Sequence, residues 1–203
     1  MRKNNILLAG VLALGALVCS CDSREKLSEE LQGIWAGNPE QLADTGAARA
    51  TMTRLMEFTK TGEPGSGNVT LTAYITVEDM MAQSDSVVAP LTITASGVAS
   101  ITGVYQAKDD DDVILNLDAS SMSVQIDPDA VQLNYNALTG GSSSVPVNLQ
   151  SGAQVLASQQ ITRAAQKAFF NLSEIEDIEF HNDYMTCEFG KTKLTFTRQS
   201  GNQ

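Results

Sequence analysis

Between residues 51 and 126 the chain repeatedly alternates apolar and polar positions with a period of two, the pattern of strands that bury one face. From Thr51 to Thr59, Met52, Arg54, Met56 and Phe58 fall on one side, and Thr53, Leu55 and Glu57 on the other. After a turn rich in glycine and proline (Gly62, Pro64, Gly65, Gly67), Val69, Leu71, Ala73, Ile75 and Val77 alternate with Thr70, Thr72, Tyr74 and Thr76, which predicts a hairpin. Val87 to Ala95 and Val98 to Ala107 predict two further strands, with Gly97 a candidate bulge between them. A loop at Asp109 to Asp112 precedes strands around Val113 to Leu117 and Met122 to Ile126, the second ended by Asp127-Pro128. Strands at such short spacing predict an antiparallel meander closing into a barrel.

The period changes after Ser151, a candidate N-cap that follows a Gly/Ser-rich loop at Gly140 to Ser144. Ala157, Ile161, Ala164, Ala165, Ala168, Phe169 and Leu172 recur at helical spacing, with Arg163 and Lys167 off the stripe. One late α-helix is therefore expected, packed outside the sheet. Two strands, Ile178 to Phe189 with a bend near Asn182-Asp183, and Lys191 to Arg198, are expected to finish the domain. The fold class is mainly β.

The first 20 residues do not belong to that pattern. Arg2 and Lys3 precede an apolar run from Ile6 to Val18 and the small residue Ser20, the order of an export signal, and the run is too short to span a bilayer. Val18-Cys19-Ser20-Cys21 resembles a lipobox, the motif at which bacterial signal peptides are cut before a lipid-carrying cysteine. The resemblance makes Cys21 the lipidation site, since bulky Val18 directly precedes Cys19. It implies a protein held in the bacterial cell envelope, with the outer membrane favoured and its orientation open. The chain then divides into a signal peptide (1–20), a polar tether (21–30) and a single domain (31–203).

Charge narrows the partners. The full chain carries a net charge of −11; without residues 1–20, 11 basic residues face 24 acidic ones, a net charge of −13. That surface repels phosphate backbones and argues against nucleic acid as a partner. The chain has three cysteines and one histidine, His181. With residues 1–20 removed and Cys21 acylated, Cys187 has no disulfide partner, and it reads as a buried core thiol. No clustered Cys and His indicate a zinc site.

Leu31-Gln32-Gly33-Ile34-Trp35 opens the domain and Leu194-Thr195-Phe196-Thr197-Arg198 closes it. The two segments resemble the lipocalin-like, or calycin-like, pattern, in which Gly-x-Trp begins the first strand and a basic residue on the last strand stacks on the tryptophan. The resemblance implies a lipocalin-like barrel closed at one end by Trp35 and Arg198. Similar domains occur in lipoproteins of Gram-negative gut bacteria. The chain departs from ordinary lipocalins in lacking their disulfide and in placing its helix before two strands rather than one.

Catalytic constellations are weak. His181 is the sole candidate base for Ser-His-Asp chemistry, and its neighbours Phe180 and Asn182-Asp183 describe a strand turning back. No Gly-x-Ser-x-Gly elbow or phosphate-cradling loop occurs. Asp109 to Asp112 lacks the alternation and glycine of a calcium loop, and Asp127 and Asp129 flank a proline in a turn. Asp85-Ser86-Val87 resembles a short O-glycosylation acceptor. Met52, Met56, Met80, Met81, Met122 and Met185 would suit either an adaptable cavity or a filled core. The expectation is a non-enzymatic, membrane-anchored module without catalytic residues, metal or cofactor, binding a small apolar ligand in its barrel. The alternative is a structural component with a filled barrel that meets a protein partner.

Overall fold

The computed structural model describes residues 23–42, 49–82, 91–135 and 147–200. Helix α1 spans 23–31. It is followed by β1 (Gly33–Gly37), β2 (Glu40–Leu42), β3 (Arg49–Lys60), β4 (Ser66–Ala82), β5 (Leu91–Ala107), β6 (Val113–Leu117), β7 (Ser123–Ile126) and β8 (Gln132–Tyr135). Helix α2 (Val147–Phe170) precedes β9 (Glu174–Phe180), β10 (Tyr184–Phe189) and β11 (Thr192–Gln199).

Eight strands close into an antiparallel barrel in the order β1-β11-β10-β9-β6-β5-β4-β3, the ring being completed by pairing of β1 with β3. The expected β fold and late helix are thus observed. The inward residues are the predicted alternating set, with Met52, Met56, Leu71, Ala73, Ile101, Met185 and Cys187 fully buried. In β9 the alternation slips. Asp177 adopts a positive φ of 52°, so that Ile175 and Ile178, three residues apart, are both buried.

β4 and β5 are 17 residues each and outrun the ring. The first half of β5 pairs with β7 and β8, while its second half pairs with β6 in the barrel. α2 lies outside the ring against β4, β5 and β7. Its predicted apolar stripe, from Ala157 to Leu172, is buried. The sheet face it covers continues the barrel's inner face: Gly97 shares the parity of buried Ala95 and Ala99, and a Cβ there would stand 3.1 Å from Ile161 Cγ2. One apolar core therefore runs from the barrel through its mouth to the helix.

Several expectations need correction. Residues 23–30 do not form a polar tether, because they lie in α1, where Leu27, Ser28 and Leu31 are buried. Apolar positions spaced by four make one face of a helix, and the barrel end supplies the surface that buries it. β5 is one strand rather than two; Gly97 keeps regular register opposite Ile75, and the bulge lies in β4 between Val77 and Met80. The missing side chain at Gly97 serves the close approach of α2 and β7. Ser151 lies inside α2, which begins at Val147. Three strands follow that helix, because Asn182-Asp183 is a full hairpin turn between β9 and β10. Cys19, Cys21, Asp85-Ser86-Val87 and the Gly140 to Ser144 loop lie outside the described residues, as do the side chains of Met80 and Met81.

Candidate functional site

The two barrel mouths differ in chemistry. At the first, α1 is docked by polar contacts at both ends. Glu25 near its N-terminus forms an ion pair with Lys60 and accepts a 3.1 Å bond from the Gly65 amide. These contacts, led by the Lys60 hydrogen bond, lower the Glu25 pKa. In the middle, Ser28 Oγ lies 2.7 Å from Tyr105 Oη, both groups buried. At the C-terminus of α1 the carbonyls that a helix leaves unbonded find donors. Arg198 donates to Glu30 O at 2.6 Å and to Gln32 O at 2.9 Å, and Trp35 Nε1 donates to Leu31 O at 2.7 Å.

Trp35 and Arg198 are brought together as cross-strand partners, and the guanidinium carbon stands 4.3 Å from the tryptophan ring centroid. Gly33 permits this arrangement. Its φ of 121° is strained for a residue with a side chain, and an added Cβ would lie 3.6 Å from Arg198 Nη1. Trp35 is completely buried and also tilts against Phe180 at 5.8 Å. This mouth is a closed structural end.

At the second mouth, beneath the C-terminal part of α2, Arg54 projects inward from β3 and is only 6% exposed. Its guanidinium carbon lies 4.6 Å over the Phe189 ring, and Nη2 stands 3.7 Å from Glu40 Oε2. The latter separation is an ion pair beyond hydrogen-bond length. Among the described residues, Arg54 Nε and Nη1 and Glu40 Oε1 have no hydrogen-bond partner although buried. A recess of about 210 Å³ opens here, lined by Glu40, Arg54, Lys167 and Asn171 together with apolar side chains of α2, β2, β10 and β11.

Desolvation dominates the electrostatics. Burial pulls the Arg54 pKa down against the attraction of Glu40, and burial pushes the Glu40 pKa up against the attraction of Arg54. Cys187 is a free, buried thiol, and burial drives its pKa up to about 12 despite the nearby Arg54 charge. A thiol so held is not a nucleophile at neutral pH.

Sequence reasoning placed Arg54 on the buried parity of β3 but missed its role. A lone arginine among Met52, Met56 and Phe58 was the available signal. Met52, Met56 and Met185 are fully buried in the same apolar core as Phe58 and Tyr105, whose rings meet edge to face at 5.3 Å.

The other candidates fall into structural roles. His181 is exposed and stacks on Tyr184 at 4.3 Å. Asp109 to Asp112 forms a hairpin loop: Asp109 accepts the Asp112 amide at 3.0 Å, and Asp112 accepts the Asp177 amide at 3.2 Å. Lys108 bridges Asp112 and Glu174 at 3.3 and 2.8 Å. The loop thus fastens β9 to the β5–β6 turn. Asp127 accepts the Asp129 amide at 2.9 Å, a local turn contact. Comparison with protein-family models, with curated proteins and with solved structures finds no match for the chain.

Proposed function

We propose that the protein is a lipid-anchored, non-catalytic binding module of the bacterial cell envelope, of lipocalin-like type, that takes a small ligand at the α2-side mouth of its barrel. The observation that carries this reading is Arg54, a buried cation with two unpartnered N–H directions beside a recess. Leaving a buried donor unpaired costs about 1–3 kcal/mol, more for a charged group, and a retained group of that kind calls for a partner. The recess beside Arg54 places the expected ligand site at this mouth rather than in the lumen. Cys21 supplies the anchor. Its acyl chains, each buried methylene contributing about 0.8 kcal/mol, hold the domain at the outer membrane.

Native mass spectrometry of the full protein from its own host tests the binding reading. A discrete small-molecule adduct that disappears in Thr192→Trp, which fills the recess from its exposed rim, is the expected result. A bare mass, or an adduct indifferent to that substitution, overturns it.

A second reading, a protein-interaction component, is favoured by one observation. Tyr74 and Val98 are cross-strand neighbours on the outer face of β4 and β5, 51% and 36% exposed, beside a groove of about 460 Å³. Crosslinking in the native envelope through a photoreactive residue at position 98 distinguishes the two. A discrete protein adduct supports the second reading, and its absence removes that reading.

A further inference from the structure

Resting on the reading of the Arg54 recess as the ligand site, we propose that its ligand is a small organic acid, whose carboxylate meets Arg54 and whose apolar body lies against the recess wall. Charge, lining and size lead to this class. Among the described residues that line the recess, the charged side chains are Arg54, Lys167 and Glu40. Inside it, the Arg54 guanidinium is clamped on the Phe189 ring, so its donor directions are fixed before any ligand arrives. A guanidinium held against an aromatic ring with unpartnered N–H groups suits a carboxylate oxygen, which would satisfy them through charge-assisted hydrogen bonds.

The remainder of the wall is mixed, with polar side chains at Asn171 and Thr192 and apolar ones elsewhere. Leu42, Ala168, Leu172, Phe189 and Leu194 offer no donors from their side chains, and they suit an alkyl or aryl group. At about 210 Å³ the recess lies below the ~300–1,000 Å³ common for drug-sized ligands, which limits the acid to a few heavy atoms beyond the carboxylate. Glu40 is the counterweight. It keeps Arg54 loosely paired when the recess holds only solvent, and at 3.7 Å it forms no hydrogen bond that a ligand would need to break.

The test uses the full-length protein in mild detergent, labelled with 15N-arginine, and follows the Nε–H resonance of Arg54. That resonance is assigned by its loss in Arg54→Gln or, if that variant does not fold, by its displacement in Thr192→Trp. Butyrate, the neutral isostere butyramide and inorganic phosphate are the probes. The inference expects a saturable shift with butyrate and binding at least about tenfold weaker for butyramide and for phosphate, with the butyrate response lost in Thr192→Trp. Equal binding of butyrate and butyramide overturns the carboxylate assignment while leaving the recess as a ligand site. Tighter binding of phosphate overturns the organic-acid class in the same way. If no probe moves the resonance, both the assignment and the recess reading fall, and Arg54 and Glu40 are a solvated structural pair.

Discussion

Arg198 joins the last strand to the first helix through Trp35. Its guanidinium carbon stands 4.3 Å from the centroid of the buried indole while its two terminal nitrogens donate to the carbonyls of Glu30 and Gln32. The indole itself holds the Leu31 carbonyl between them. Three consecutive carbonyls at the end of α1 are thus satisfied by one cross-strand pair, closing the mouth of the barrel.

Arg198→Ala is expected to lower unfolding stability by about 1–2 kcal/mol, from loss of the cation-π contact and of two hydrogen bonds at a site partly open to solvent. Arg198→Lys should recover only part, since one ammonium cannot both lie over the ring and reach two carbonyls. Urea unfolding measures both, and an unchanged Arg198→Ala midpoint would break the structural role given to this pair.

Gly97→Ala is expected to destabilise by about 1–3 kcal/mol, because the added methyl would stand 2.9 Å from the Gln125 carbonyl, which is backbone and cannot rotate away. Gly62→Ala, with nothing within 4 Å, serves as the control and should be neutral or slightly stabilising. Thermal melting of the pair reads the difference. Equal melting temperatures would refute the close approach of β7 and α2 to β5.

Cys187 should resist alkylation at pH 8 in the folded protein and react at once in guanidinium, as burial raises its pKa to about 12. The linked effect on stability has a definite sign. The folded state keeps the thiol proton longer than the unfolded chain, whose thiol titrates near 9.0. This contribution is intact below that pH and is lost as pH rises from about 9 to about 12, by up to about 1.4 kcal/mol per pH unit. The unfolding stability measured by denaturant across that range should therefore fall less steeply for Cys187→Ala than for the parent.

Cys21→Ser is expected to move the protein from the membrane fraction to the soluble fraction of its host. Fractionation and immunodetection read this directly. Continued membrane attachment would refute lipidation at Cys21.

The β class and the late helix were legible in sequence for a local reason. Inward and outward residues alternate along single strands, whereas the pairing of Trp35 with Arg198 followed from the resemblance of the Gly-x-Trp and the last-strand arginine to the lipocalin-like pattern. Segments whose partners are distant were read less well. The charged residues 23–30 look like a tether until the barrel end supplies a surface for Leu27 and Leu31. Gly97 looks like a strand break until α2 is seen to press on it.

By itself the sequence determined the periodicities: which residues alternate, which repeat at helical spacing, and where a strand must turn. Tertiary structure alone decided what those faces meet. It folded β3 so that Arg54 entered the mouth beside Glu40 and Phe189, residues brought from three separate strands. A charged side chain on an apolar face reads the same in sequence whether it is paired, solvated or waiting for a ligand. Its burial and its missing hydrogen bonds are properties of the assembled barrel, because desolvation depends on every element packed around the group.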